Sequence, residues 1–208
     1  MLGFAIATPN LLSIKIMQYL NDSVEIKKQI TQFALAKTLW LDTEIADWHT
    51  YAPRLSLIQV LAIDDTAKNA YILDVLDQPD LADFFINQIM VNPQIEKVFH
   101  NASFDLKYLG EKSALNVTCT LKLARKIKQK LSVSNLKLKT LAVELCNFSH
   151  VDIEEQSSDW GKRPLTEKQL KYAAMDTVYL AAVHRCLLEH YNPQTVSNIF
   201  NISSDDLK

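Results

Sequence analysis

Glycine is scarce in this sequence, and the few that occur mark no phosphate-binding loop. The three glycines are Gly3, Gly110 and Gly161, whereas a loop that cradles the phosphates of a nucleotide needs several at close spacing. We therefore expect no binding of nucleoside triphosphates. The three cysteines are odd in number and show no metal-ligand spacing, so neither a disulfide framework nor a zinc site is expected.

The sequence also lacks long apolar runs and an excess of positive charge. No run reaches the ~18 to 20 apolar residues that a membrane-spanning helix needs, and residues 1–12 lack the basic start of a secretory signal. The formal net charge of −2 gives no basic footprint for non-specific nucleic-acid binding. It is compatible with a nuclease whose carboxylates hold cations. We expect a cytoplasmic protein that does not interact with membranes.

The composition is that of one globular domain. Of the 208 residues, 48% are hydrophobic and 22% are charged, and there is no internal repeat or flexible linker. Because a single core commonly grows to this size, we expect residues 1–208 to form one domain. Residues 1–12 are expected to be a poorly ordered extension, and no C-terminal accessory domain is expected.

Strand patterns dominate the first half of the sequence. A helix is predicted over residues 22–36, opened by Asp22 as its cap, and strands are predicted over 38–42, 55–63 and 70–73. Three strands in succession, separated by short polar segments, favour an antiparallel meander.

The second half is rich in helix patterns. Thr166 and Gln169 form a capping box at the start of the clearest helix, which should extend towards His190. The other predicted elements are a helix over 79–90, a strand over 97–100, and helices over 104–112, 121–130 and 136–146. Strands followed by alternating strands and helices predict an α/β fold with a mixed sheet covered by helices.

Two carboxylates stand at the end of the first strand of the meander. Side chains alternate along a strand, so Asp42 and Glu44 should point to the same face. An Asp-Thr-Glu sequence in isolation is more often turn or helix-cap chemistry. The pair therefore gains meaning only together with further candidates.

Two later segments carry candidate residues of the same kind. Asp105 follows an apolar strand and a polar break, at a predicted helix start, where it could meet a ligand or only complement the helix end. Tyr172 and Asp176 stand four residues apart on a predicted helix and so share one face. The alternative is an amphipathic helix whose tyrosine packs and whose aspartate is solvated.

In this order and at these separations, the segments resemble the three motifs of the DEDD superfamily of 3′-5′ exonucleases, in the variant with a tyrosine in the third motif. The motifs are Asp42-Thr43-Glu44, then His100-Asn101-Ala102-Ser103-Phe104-Asp105, then Tyr172 with Asp176. Residues 54–59 and 158–166 resemble the ribonuclease D catalytic domain in particular. One departure is Cys119-Thr120, where related sequences often carry Asp-Thr, and it puts local support of the site in doubt.

This resemblance implies a ribonuclease H-like fold, with a mixed sheet of about five strands, the first three antiparallel, flanked by helices. It also implies hydrolysis of terminal phosphodiesters from the 3′ end, with release of nucleoside 5′-monophosphates. Two divalent cations, Mg²⁺ or Mn²⁺, are the implied cofactors. Asp42, Glu44 and Asp176 would hold the first cation. Asp42 would bridge to the second, Asp105 would hold the water shell of the second, and Tyr172 would orient the attacking water rather than act as a base.

Substrate contacts are expected around the same motifs. His100 and Asn101 could touch the terminal sugar, Leu57 or Phe104 could stack on a base, and Arg163 could reach the phosphate backbone. Phe104 is equally compatible with a core position, and Arg163 with a solvated charge. A basic cluster offers either an exposed helix face or a track for nucleic acid. Its members are Lys122, Arg125, Lys126, Lys128 and Lys130.

The leading hypothesis is a 3′-5′ exoribonuclease that acts on a single-stranded 3′ end and trims structured RNA precursors, such as those of transfer RNA. The first alternative keeps the reaction and changes the polymer to DNA, since discrimination rests on contacts to the 2′-hydroxyl that the sequence does not reveal. The second is a non-catalytic nucleic-acid-binding or scaffold protein that kept the fold. The presence of all four carboxylates and the tyrosine favours catalysis.

Overall fold

The computed structural model describes residues 16–63, 68–149 and 151–191. The predicted extension at residues 1–12 lies outside these described residues. Within them, the strands are β1 (Ile16–Leu20), β2 (Thr38–Ala46), β3 (Arg54–Ile63), β4 (Lys68–Asp74), β5 (Glu96–Phe99) and β6 (Val117–Cys119). The helices are α1 (Ser23–Phe33), α2 (Pro79–Phe85, continued by a wider π-type turn over Ile86–Met90), α3 (Thr120–Lys126), α4 (Leu138–Cys146) and α5 (Glu167–Tyr191).

The strands form one mixed sheet in the order β1-β4-β3-β2-β5-β6. The predicted antiparallel meander is confirmed, because β3 pairs in antiparallel with both β2 and β4. β1 lies parallel to β4, and β5 and β6 extend the other side of the sheet in parallel with β2. The described residues thus contain six strands, where the resemblance implied about five and the sequence pattern marked four. The two strands that the pattern did not mark are the edge strands β1 and β6.

Helices cover both faces of the sheet. Residues of α1 and α2 share a core with Leu39 and Leu41 of β2, whereas residues of α3, α4 and α5 pack with Trp40 of the same strand. This alternation follows from strand geometry, in which successive side chains point to opposite faces. The face of β2 that carries Trp40 is therefore the face that α5 covers.

Side-chain caps fix two helix starts that the sequence predicted. The Asp22 carboxylate accepts hydrogen bonds from the backbone N–H groups of Val24 and Glu25. Before α5, the backbone N–H of Thr166 donates to Gln169 Oε1 at 2.9 Å, and the N–H of Gln169 donates to the Thr166 hydroxyl at 3.2 Å. The capping box is thus confirmed, and it gives α5 a defined beginning.

The helix predicted over residues 104–112 is wrong. Its place is taken by two short 3₁₀ turns, Asp105–Lys107 and Glu111–Ser113. Gly110 between them has a φ of +89°, and a left-handed residue of this kind interrupts an α-helix. The helix predicted over 121–130 is likewise too long, because α3 gives way to a 3₁₀ turn at Lys128–Lys130.

The longest helix, α5, lies across the sheet. It contacts β1, β2, β3, β4 and β5, and it also packs against α3 and α4. None of the helices in the described ranges combines the length and the apolar character that a bilayer crossing requires. The packing of α5 brings residues from the C-terminal part of the chain against the central strand β2.

Candidate active site

The first two carboxylates lie on the central strand β2. Asp42 is paired with Gln59 of β3 and Glu44 with Leu57, and a bulge falls directly after Glu44. A bulge increases the local twist of a strand and re-aims its side chains. The two carboxylates line the same cavity, on the face of β2 that α5 covers.

The helix α5 supplies the third carboxylate. Asp176 lies one turn after Tyr172, and both side chains are buried. One ligand oxygen from each of Asp42, Glu44 and Asp176 lies within 4.8 Å of the other two. Three carboxylate oxygens at these separations can converge on a single cation with small side-chain adjustments.

Burial raises the pKa of every carboxylate in this cluster, and repulsion between the carboxylates raises the pKa values of Asp42 and Glu44 further. Desolvation is the main cause, and it raises the pKa of Asp176 to about 6 and the pKa values of Asp42 and Glu44 well above their usual range. The charge of Asp105 raises the pKa of Asp42 further. Carboxylates this close together are unfavourable unless protons or cations neutralise them. The cluster therefore calls for added positive charge.

The donor set fits a divalent cation. Carboxylate oxygens are the hard ligands that Mg²⁺ and Mn²⁺ prefer. Asp176 Oδ1 is buried and has no hydrogen-bond partner within the described part of the chain, and a buried acceptor without a partner is costly. A bound cation would satisfy this oxygen.

Asp105 lies beside the cluster and is held by Thr43, the residue between the two carboxylates of β2. The Thr43 hydroxyl donates a hydrogen bond of 2.7 Å to Asp105 Oδ1. Burial raises the pKa of Asp105 to about 7, although the hydrogen bond from Thr43 opposes this shift. Asp105 is therefore fixed in place by a neutral donor rather than by a basic residue.

The fifth predicted site residue, Tyr172, is enclosed by Trp160 and by the carboxylates. The ring centroids of Trp160 and Tyr172 are 6.0 Å apart. Burial, followed by the negative charges of Asp176 and Glu44, raises the pKa of the Tyr172 hydroxyl. The phenol thus stays protonated at neutral pH, which suits the orientation of a water molecule rather than general-base chemistry.

The cluster opens into a cavity of about 1180 Å³. His100, Asn101 and Phe104, three of the predicted substrate contacts, line it together with the carboxylates. Phe104 is 43% exposed, so it does not occupy the core position that the sequence left open. The cavity therefore combines the exposed ring of Phe104 with an acidic floor.

A family model described as 3′-5′ exonuclease matches residues 17–191 of this chain. The chain belongs to this 3′-5′ exonuclease family. The matched range includes all four carboxylates and Tyr172, which confirms the resemblance drawn from the motifs.

Comparisons with individual proteins agree with the family match. The exonuclease domain is 31% identical over 185 residues to a ribonuclease D of Shewanella sp. (strain ANA-3), covering 88% of this chain and 45% of that protein. The chain spans less than half the length of the curated ribonuclease D proteins that it matches first.

Solved structures share the fold of the exonuclease domain. The Aedes aegypti Nibbler EXO domain superposes with a TM-score of 0.74 at 19% identity, covering 93% of this chain and 97% of that one. Brucella melitensis NrnC with bound Mg²⁺ superposes with a TM-score of 0.63 at 22% identity, covering 88% and 83%. The ribonuclease H-like α/β fold implied by the resemblance is thus confirmed.

Thr120 is the residue of the Cys119-Thr120 pair that matches the family pattern. Its hydroxyl lies 2.8 Å from His100 Nδ1 and also donates to the carbonyl oxygen of Phe99 at 3.2 Å. Burial lowers the pKa of His100 to about 4, so the ring is neutral at physiological pH. Thr120 therefore supports His100 in the cavity wall of this exonuclease domain.

Two predicted substrate contacts, Leu57 and Arg163, are not among the residues that line the cavity. The prediction for Leu57 is wrong, whereas the phosphate contact of Arg163 stays a prediction. Leu57 is fully buried in the core beneath α5 and cannot stack on a base. The guanidinium of Arg163 is engaged with Asp74, with distances of 2.5 Å from Nε to Oδ2 and 2.7 Å from Nη2 to Oδ1. Arg163 neutralises a buried carboxylate and anchors the segment before α5, and its side chain is 26% exposed.

The basic cluster predicted around α3 is on the surface of the exonuclease domain. All five members are exposed, which agrees with both interpretations of this cluster. Only Arg125 among them lines the cavity. Trp48, which the sequence left outside the site, also lines the cavity and is 59% exposed.

Lys139 is the site residue that sequence reasoning missed. It is the second residue of α4, and its Nζ lies 3.2 Å from Asp176 Oδ1 and 3.5 Å from the centroid of the Tyr172 ring. The ammonium charge opposes the upward pKa shifts of Asp42, Glu44 and Asp176. No signal in the sequence separates this lysine from the others, because its contacts depend on how α4 packs against α5.

Proposed function

We propose that this domain is a two-metal-ion 3′-5′ exonuclease that hydrolyses terminal phosphodiesters of RNA and releases nucleoside 5′-monophosphates. The observation that carries the proposal is the convergence of Asp42, Glu44 and Asp176 within 4.8 Å at the floor of an open cavity. These three carboxylates would hold one cation. Asp42 would also help to hold a second cation, whose water shell Asp105 would hold.

The residues of the chain divide the remaining tasks. Two divalent cations would supply activation of water and stabilisation of the departing 3′ oxygen. Tyr172, protonated because its pKa is raised, would orient the attacking water by a hydrogen bond. Phe104 would stack on the terminal base, while His100 and Asn101 would contact the terminal sugar.

RNA is the proposed polymer because the relative reported above is a ribonuclease D. Mg²⁺ is the first cation to test, since the NrnC neighbour contains it; Mn²⁺ prefers similar oxygen ligands. Trimming of structured RNA precursors would follow from this activity. The cytoplasmic location expected from the sequence stays a prediction.

The activity can be tested with 5′-labelled single-stranded RNA and DNA of the same sequence, incubated with Mg²⁺ or Mn²⁺. A ladder that shortens from the 3′ end on RNA, with nucleoside 5′-monophosphates as the released product, is the expected result. A circular RNA serves as a control and should survive, because it has no 3′ end.

Each alternative predicts a different outcome. Shortening of DNA without shortening of RNA would show that the substrate is DNA and that the reaction is still that of a 3′-5′ exonuclease. Cleavage of the circle would indicate an endonuclease. No product from either linear polymer with either cation would overturn the proposal in favour of a non-catalytic protein.

A further inference from the structure

Lys139 places a lysine ammonium where the carboxylate cluster calls for positive charge. Its Nζ lies 3.2 Å from Asp176 Oδ1, within the cavity that Asp42 and Glu44 also line. The Nζ lies over the face of Tyr172, 3.5 Å from the ring centroid, and this geometry adds a cation–π attraction. The Lys139 side chain is thus held between Asp176 and Tyr172, which both lie in α5.

The burial of this ammonium is unusual for a lysine. Its Nζ is shielded from solvent and makes no hydrogen bond to the described residues, and the same is true of Asp176 Oδ1 opposite it. The two atoms are close enough for an ion pair, although their geometry is not that of a hydrogen bond. A buried pair with unsatisfied donors and acceptors stabilises a fold poorly, so packing alone does not account for it.

We propose that Lys139 is a tethered counter-cation that neutralises the carboxylate cluster in the metal-free protein and competes with the metal for Asp176. This inference rests on the proposed metal site. When a divalent cation binds Asp176, the ammonium has to move away or remain as a repelling neighbour. In both cases Lys139 weakens metal binding, and the weakened affinity confines metal loading to conditions in which the cation is abundant.

The charge can be removed without removing the bulk. Lys139→Met keeps an unbranched side chain and deletes the ammonium, and Lys139→Gln is a second variant in case the first one misfolds. Lys28→Met is the matched control, since Lys28 is an exposed residue of α1 that does not line the cavity, and its loss changes the net charge equally. Mn²⁺ binding to the metal-free protein is measured at one fixed pH by the electron paramagnetic resonance signal of the free ion, and independently by the rise in Tm.

We expect Lys139→Met to bind Mn²⁺ about tenfold more tightly than the parent protein, as estimated for a unit charge close to a divalent ion. Its metal-free form should have a lower Tm and gain more from Mn²⁺. Lys28→Met should change the affinity less than about twofold. If both Lys139 variants bind Mn²⁺ as tightly as the parent protein or more weakly, the inference about Lys139 is overturned and the proposed function still stands. Absence of Mn²⁺ binding by the parent and by every variant would overturn the proposed function together with it.

A second contact joins the same two helices at a different place. The Sγ atoms of Cys146, the last residue of α4, and Cys186 in α5 lie 3.0 Å apart as free thiols. Cys146 is buried and Cys186 is partly exposed, so an oxidant reaches Cys186 first. The third cysteine, Cys119, lies in β6 and is also free.

We propose that Cys146 and Cys186 form a disulfide when the protein meets hydrogen peroxide. The Cys186 thiol is oxidised to a sulfenic acid with release of one water. The Cys146 sulfur then attacks the Cys186 sulfur, and the sulfenic oxygen leaves as a second water, so two thiols and one peroxide give one disulfide. The bond would close a loop between positions 40 residues apart and fasten the helix that carries Lys139 to the helix that carries Asp176.

Thiol counting and peptide mapping after peroxide treatment test this modification. The parent chain should keep one of its three thiols, Cys119→Ser should keep none, and Cys146→Ser should form no intramolecular bond. The oxidised parent should unfold about 5 °C or more above the reduced one. Retention of all thiols, or oxidation of Cys186 to a sulfinic acid without a cross-link, would overturn the proposal.

Discussion

Thr43 donates a hydrogen bond of 2.7 Å to Asp105, and this contact joins the middle of the Asp-Thr-Glu motif to the second motif. Thr43 is buried between two carboxylates of β2, so its hydroxyl has a single defined task. The motif therefore uses all three of its residues, two as carboxylates of the cluster and one as the donor that positions a fourth carboxylate.

The first prediction concerns this hydroxyl. Thr43→Val has nearly the same shape and removes the donor, so Asp105 loses its support and kcat should fall about tenfold, as expected for one hydrogen bond. Thr43→Ser keeps the donor and should retain most of the activity. Steady-state rates on a labelled RNA measure both, and an unchanged kcat in Thr43→Val would contradict the role of Thr43.

Asp42→Asn should abolish turnover while leaving the fold intact. The amide keeps the size of the side chain and removes a charge that the proposed cations need, so the rate should fall on the order of a thousandfold. The metal-free variant should have an equal or higher Tm, because it relieves repulsion among the carboxylates. Asp83→Asn, at an exposed position of α2, is the control; an active Asp42→Asn protein would refute the assignment.

The metal-free protein should lose stability as the pH rises. The pKa values of Asp105 and Asp176 are raised to about 7 and about 6, against about 3.9 for an unfolded aspartate. The folded state therefore binds protons more tightly than the unfolded state, and the free energy of unfolding falls between about pH 4 and about pH 7. Thermal unfolding in a chelator measures this fall, which Mg²⁺ should reduce. A Tm that rises through that window would disagree with the burial of these groups.

Phe104 should contribute to substrate binding through its exposed ring. Phe104→Leu removes a stacking surface, so KM for single-stranded RNA should rise about tenfold, as expected from base-aromatic stacking, with a smaller effect on kcat. Tyr51→Leu removes another exposed aromatic side chain that does not line the cavity, and it should leave KM unchanged. Equal effects of the two substitutions on KM would show that Phe104 does not contact the substrate.

Arg163 should matter for stability rather than for substrate. Arg163→Met leaves Asp74 without its counter-charge and should lower the free energy of unfolding by about 3 kcal/mol. The double variant Arg163→Met with Asp74→Leu should recover part of this loss, because no carboxylate is left unpaired. Denaturant unfolding measures the stability of both variants. A tenfold rise in KM with unchanged stability would instead show that Arg163 contacts the substrate.

Local rules account for the parts of the site that could be predicted. Alternation along a strand placed Asp42 and Glu44 on one face, and helix periodicity placed Tyr172 one turn before Asp176. These relations hold within a single element and are visible in the sequence. The prediction of a helix over 104–112 was wrong for a local reason too, because the sequence pattern does not reveal the left-handed conformation of Gly110.

Relations between distant elements could not be predicted in the same way. The contact of Lys139 with Asp176 depends on the packing of α4 on α5, and Arg163 is diverted by Asp74 at the end of β4. Leu57 shares a sheet face with its partner Glu44, but it packs in the core that α5 covers. In each case the partner is set by tertiary packing, and a single sequence contains no record of it.

The position of α5 has a consequence for the order in which the protein is made. The ribosome synthesises Asp42, Glu44 and Asp105 before Asp176, and the helix that carries Asp176 packs on strands β1 to β5. A nascent chain that ends before α5 holds an incomplete cation site and lacks Tyr172. The proposed RNA-degrading activity therefore begins only once α5 has been synthesised and has packed on the sheet.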